Sequence, residues 1–340
     1  MRRRELLVAM TGLAGCGREP RRRLNVFNWS SYVAKDTIPG FERESGVEVR
    51  YSIYESNEEM LAKVFGGNSG WDVVFPSSHL IGPMRENGLL APLQHRWLDQ
   101  LGNLEDRFQS PPWDRNLEWC VPYMWGSTGI LYNKKLQPPP LSWADLWDER
   151  LRGKLTMLDD PTDAIGAGLQ KLGLPLNSVD PEQLEQAKLE LIHQKRLVRA
   201  YLNAEARDQM VSGDVVAAQM WATTAQQGME ASRELAFAFP KEGFALYADC
   251  GVVLRESKSV QTAHDFLNYL TRSAVGCAVA VEGKTATANA KARMLLPEAN
   301  RNNEVLYPPA SVLARGVWVE ALPADGQRKR DRIWTEIKSD

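Results

Sequence analysis

The side chains best suited to chemistry in this sequence are carboxylates set near large aromatics. Asp160 and Asp163 stand three apart just ahead of a helical run, and Trp221 ends the apolar stretch that begins at Val215. Tyr247 and Asp249 stand two apart at the entrance to the apolar run Gly251–Leu254, so a strand would point both to one face. Eleven tryptophans are present; tryptophan stacks on cations and on sugar faces, although its commonest role is core packing. Either Asp160 or Asp163 could instead cap the helix that follows. Catalysis has little support. Asp159 and Asp160 could suggest the carboxylate pair of a glycoside hydrolase, but neighbours on a strand point to opposite faces. There is no Gly-x-Ser-x-Gly elbow and no His-Glu-x-x-His motif. His79, His95, His193 and His264 are dispersed without metal-ligand spacing. The expectation is a binding protein with no metal and no cofactor.

These residues sit among short apolar runs that alternate with helical ones. Strands are expected at Leu24–Trp29, Val47–Ile53, Asp72–Pro76, Gly129–Tyr132, Leu155–Leu158, Val215–Met220, Leu235–Phe239 and Gly251–Leu254. Helix starts are marked between them. Ser56-Asn57-Glu58-Glu59 forms a capping box ahead of Leu61, Val64 and Phe65, and Ser142-Trp143-Ala144-Asp145 is a weaker start. Asp180-Pro181 supplies an N-cap and an N1 proline before Leu184, Ala187, Leu191 and Ile192. The alternation predicts an α/β fold with largely parallel, buried sheets. Gln137-Pro138-Pro139-Pro140 marks a connection after Tyr132. A length of 340 residues suits two lobes, and 44% hydrophobic with 25% charged residues suits a globular protein. The net charge of -2 argues against nucleic acid as a partner.

The N-terminus reads as an export signal. Arg2, Arg3 and Arg4 precede a short apolar stretch, Leu6 to Ala14, that is too short to span a bilayer. Leu13-Ala14-Gly15-Cys16 resembles a bacterial lipobox, which implies cleavage before Cys16 and lipidation of its thiol. Residues 1–16 would then be a lipoprotein signal peptide and 17–23 a polar, basic tether. Arg3-Arg4-Glu5-Leu6-Leu7 also resembles a twin-arginine signal. Cys120, Cys250 and Cys277 remain, which allows a Cys120–Cys250 disulfide with one free thiol, or three buried thiols.

A family likeness emerges from motifs in register. Leu24-Asn25-Val26-Phe27-Asn28-Trp29-Ser30-Ser31-Tyr32 resembles the opening strand of the bacterial spermidine/putrescine-binding proteins of ABC importers. The resemblance continues through Tyr54–Glu58, Asp72–Ser77, Pro122–Gly126, Ser142–Trp147, Asp159-Asp160, Met220-Trp221, Phe239–Gly243 and Leu306–Pro308. It implies a two-lobed periplasmic-binding-protein fold, type II-like, with a hinge and an interlobe cleft. Lobe one would hold 24–128 plus 250–293, and lobe two 129–249 plus 294–340. The resemblance also implies a polyamine ligand, an ABC permease as partner, a monomer, and a lipid-anchored periplasmic location; a ligand-presenting sensor is the alternative role. Carried over, Trp29, Tyr32, Ser77, Asp160, Asp163, Trp221, Tyr247 and Asp249 occupy cleft positions. Four departures stand out: Ser31 replaces an acid, His79 a tyrosine, Lys284 an aromatic and Val319 a glutamine. Together they make one side of the cleft suited to a neutral or anionic group, unless Lys284 swings outward into solvent; the ligand is then either putrescine-like with one weakly held end or a zwitterion carrying an amine and an acid.

Overall fold

The computed structural model describes residues 22–339, so the expected signal peptide and Cys16 lie outside the described residues. Arg23, expected at the end of the tether, is already the first residue of a strand. The described strands are β1 (Arg23–Trp29), β2 (Glu48–Tyr54), β3 (Val73–Val74), β4 (Val121–Asn133), β5 (Leu155–Met157), β6 (Val198–Tyr201), β7 (Ala217–Trp221), β8 (Leu235–Ala238), β9 (Phe244–Val253), β10 (Ala286–Thr287) and β11 (Gly316–Trp318).

The strand order β2-β1-β3-β9-β4-β7-β5-β6 contains two parallel cores. In the first, β1 is flanked in parallel by β2 and β3. In the second, β5 is flanked in parallel by β6 and β7. Two long strands join them. The first half of β4 pairs antiparallel with β9, and its second half lies between β7 and β8. The far end of β9 closes the first core against β3. The two crossing strands make this a two-lobed periplasmic-binding fold.

Both crossing strands are longer than the runs Gly129–Tyr132 and Gly251–Leu254 that the sequence announces. Pro122 and Gly126 read as breakers, yet each has a place in β4. Pro122 sits where the β4–β9 register shifts, so its missing N–H costs little. Gly126 lies opposite Tyr247, and a Cβ there would stand 2.5 Å from the tyrosine hydroxyl. β6, β10 and β11 are two to four residues long and lack a periodic signature, which is why the sequence does not reveal them.

The capping signals are realised locally. The Ser56 side chain accepts from the backbone N–H of Glu59 at the head of helix Asn57–Val64. Asp180 accepts from the N–H groups of Glu182 and Gln183 ahead of helix Pro181–Lys195, which buries Leu184, Ala187 and Leu191. Ser142 starts only a short 3₁₀ turn, Trp143–Trp147. The three cysteines are free thiols, which corrects the Cys120–Cys250 disulfide. Cys120 and Cys250 are buried, and burial, then the neighbouring Cys250 thiol, push the Cys120 thiol well above its ordinary range. No described helix is long and apolar enough to cross a membrane.

Candidate ligand-binding cavity

A cavity of about 390 Å³ lies at the junction of the two cores, within the range of small-molecule sites. Of the expected residues, Trp29, Ser31, Tyr32, Ser77, His79, Asp160, Asp163, Trp221, Tyr247 and Asp249 all line it. Lys284 does not. It ends helix Ser273–Gly283 in the left-handed conformation (φ 57°), and its Nζ pairs with Glu230 at 3.2 Å. The backbone reversal at the helix end carries this side chain to a neighbouring helix, so the cation expected in the cleft is absent from the lining.

Asp163 is positioned by three elements. Asp160 accepts from the N–H groups of Thr162 and Asp163, with Pro161 at the first turn of helix Pro161–Lys171. Asp163 therefore falls within the first turn, near the positive end of the helix dipole. Register pairs Thr128 on β4 with Trp221 on β7, and both reach the same carboxylate. Thr128 Oγ1 donates to Asp163 Oδ1 at 2.6 Å, and Trp221 Nε1 donates to Oδ2 at 2.8 Å.

Asp249 is held in the same manner from the other core. It forms an isolated bridge with Ser77, whose hydroxyl donates to Oδ1 at 2.7 Å. Tyr32 Oη donates to Oδ2 at 2.6 Å. Ser77 is in turn fixed by Asn57, which donates from Nδ2 at 3.1 Å. Tyr247, two residues before Asp249, covers Gly126.

Aromatic surfaces complete the lining. Trp29 hangs from the end of β1, with its Nε1 donating to the Phe75 carbonyl at 2.8 Å. Its ring packs on Tyr54 at 4.6 Å and meets Trp221 edge-on at 6.4 Å, across the junction. Interlobe hydrogen bonds flank the cavity: Thr223 to Thr285 at 3.0 Å, and Gln227 to the Gly283 carbonyl at 2.9 Å.

The electrostatics favour a cationic occupant. Burial raises Asp249 to about 6, even though the Tyr32 and Ser77 hydrogen bonds pull the other way. Burial also raises Asp160, reinforced by the neighbouring Asp163 charge, and raises Asp163 despite its two donors. Desolvated anions of this kind gain most from a cation brought within contact. His79 is the opposite case. Burial, then the nearby Arg330 guanidinium, hold it down at about 4, so its ring is neutral at pH 7. Its buried Nδ1 has no partner among the described residues.

The sequence did not single out Glu55, Asn57, Glu205, Arg207 or Thr223 as cleft residues, yet all line the cavity. Glu55 and Asn57 lie inside the Tyr54–Glu58 motif, which was a signal to hand. Glu205 and Arg207 belong to the start of helix Ala206–Ser212 and its approach, with nothing in the local pattern to mark them.

Comparison with known proteins agrees with this geometry. The model of the bacterial extracellular solute-binding protein family matches residues 38–301. The spermidine/putrescine-binding periplasmic protein of Escherichia coli (strain K12) is 31% identical over 310 residues, covering 90% of this chain and 89% of that protein. The putrescine/cadaverine-binding protein of Pseudomonas aeruginosa is 28% identical over 351 residues, covering 98% and 99%. A solved Listeria monocytogenes structure, provisionally assigned as a spermidine/putrescine ABC transporter, superimposes with a TM-score of 0.90 at 29% identity, covering 93% and 99%. Two lobes, a cavity at their crossing strands and the extent of these matches lead to one assignment: the chain belongs to the bacterial extracellular solute-binding proteins.

Proposed function

We propose that the protein captures a polyamine in its interlobe cavity and delivers it to an ABC permease. One observation carries this reading. Two buried carboxylates, Asp163 and Asp249, have both oxygens fixed by protein donors and face a cavity walled by Trp29, Trp221 and Tyr247. An ammonium supplies the charge these anions lack, and flat rings suit both its methylene stem and cation–π attraction, at roughly 0.5–2 kcal/mol per contact. The relatives named above bind spermidine, putrescine or cadaverine, which supports the same class here. The zwitterion reading loses the cation it rested on, since Lys284 is engaged with Glu230.

In this reading Trp29, Tyr32, Ser77, Asp160, Asp163, Trp221, Tyr247 and Asp249 contact the ligand, while Ser31 and His79 offer neutral polar groups. Lobe boundaries at 24–128 plus 250–293, and 129–249 plus 294–340, are consistent with the crossing of β4 and β9. We assign Cys16 as the lipid attachment site, which tethers the protein to a membrane surface outside the cytoplasm, and we take the working form to be a monomer. Calorimetry with putrescine, spermidine and an amino-acid zwitterion tests the ligand class. Binding of the zwitterion and neither polyamine would overturn it. Release from the membrane fraction on Cys16→Ser tests the anchor, and an unchanged distribution refutes it.

A further inference from the structure

We propose that Glu55 is the specificity residue for the ligand's second ammonium, the role left empty by Ser31. This rests on the amine reading above. Ser31 lines the cavity but carries no charge; its backbone is left-handed (φ 61°) and its carbonyl packs closely on Gly283, where a Cβ would stand 2.3 Å away.

Glu55 follows the last residue of β2 and lines the same cavity. Its Oε2 accepts from Ser30 Oγ at 3.1 Å, which fixes the carboxylate beside the position Ser31 vacates. Its Oε1 has no hydrogen-bond donor among the described residues. Burial raises its pKa, opposed by the Ser30 hydrogen bond and then reinforced by Glu205 and Glu59; Arg207 lowers it least. The guanidinium of Arg207 is committed elsewhere, to Asp208 at 2.9 Å and Gln227 at 3.0 Å. Glu55, Glu205 and Asp208 against Arg207 leave this end of the cavity with two more negative groups than positive. A half-buried carboxylate with one free oxygen and a surplus of like charge around it is an acceptor for an ammonium.

Asp163 and Asp249 fix the first ammonium, so a monoamine needs only that end. A diamine reaches both. The test is calorimetry of the wild type and Glu55→Gln with putrescine and with n-butylamine, which has the same stem and one ammonium. Glu55→Gln keeps the Ser30 contact and removes the charge. The expected result is a loss of putrescine affinity of roughly 10- to 100-fold, the value of one hydrogen bond to a charged group, with butylamine affinity unchanged. Glu55→Asp retains part of the putrescine preference. Unchanged putrescine binding in Glu55→Gln, or equal loss for both amines, overturns the assignment. If the wild type binds neither amine, the amine reading itself fails, and that result is distinct from either outcome at Glu55.

Discussion

Replacing Asp249 by Asn should make the ligand-free protein more stable at neutral pH while weakening ligand binding. Asp249 is 2% exposed, and its pKa rises from 3.8 to about 6. A folded-state pKa above the unfolded value means the folded chain holds this proton more tightly. Wild-type stability therefore falls as pH rises from about 4 through about 6, and the full penalty is present above that window. A shift of about 2 units corresponds to about 3 kcal/mol at 1.36 kcal/mol per unit. The hydroxyls of Tyr32 and Ser77 can turn to serve an amide, so Asp249→Asn recovers most of that figure, of the order of 1–3 kcal/mol. Thermal melts of both proteins across pH 4 to 8 read the effect. The variant should melt several degrees higher at pH 7.5, and the gap should close as pH approaches 4. Calorimetry should show putrescine affinity down by at least about 10-fold, the loss of one charged hydrogen bond. A variant that melts below the wild type at pH 7.5, or a gap that does not depend on pH, would refute the argument that Asp249 is a desolvated anion awaiting a cation.

Three further outcomes follow from the same geometry. Ligand affinity should fall as pH drops below about 6, by about 10-fold at pH 5 for Asp249 alone, because only the ionised carboxylate binds; buffers of different ionisation heat should reveal proton release on binding near pH 6. Trp221→Phe keeps the ring but removes the donor to Asp163 Oδ2, so affinity should drop by about 10-fold, and a pH midpoint of binding that stays put would count against that role. Gly126→Ala drives a Cβ into the Tyr247 hydroxyl, so Tyr247 must leave the lining; a cost of about 1–3 kcal/mol in stability and weakened binding should appear together, and wild-type values for both would exclude the close packing.

The fold was legible where elements announce their own ends. Asp180-Pro181 and Ser56 are local signals, and the structure uses each as a cap. Asp160 was ambiguous for a physical reason, since one carboxylate can both cap a helix and line a cavity, and it does both. The crossing strands were half hidden, because Pro122 and Gly126 are breakers by propensity and acquire their meaning only opposite β9. Lys284 could not be placed from its neighbours. Its direction depends on a left-handed helix end and on Glu230, fifty-four positions earlier in the chain. Glu205 and Arg207 were invisible for the same cause: the cavity is assembled from segments distant in sequence.

That assembly explains why closure should depend on ligand. Asp163 comes from the β5–β7 core, and Asp249 is fixed by Ser77 and Tyr32 of the β1–β3 core. Glu55 faces Glu205 and Asp208 around the same cavity. Bringing the lobes together without a cation gathers like charges in a desolvated space, which opposes the gain from contacts such as Trp29 against Trp221 and Thr223 against Thr285. A ligand carrying two ammonium groups turns that opposition into attraction, so it binds the closed form better than the open one and shifts the population. Small-angle scattering should then show compaction on adding putrescine, and Asp163→Asn with Asp249→Asn should be compact without it. A double variant that stays as open as the ligand-free wild type would mean that carboxylate repulsion does not hold the lobes apart.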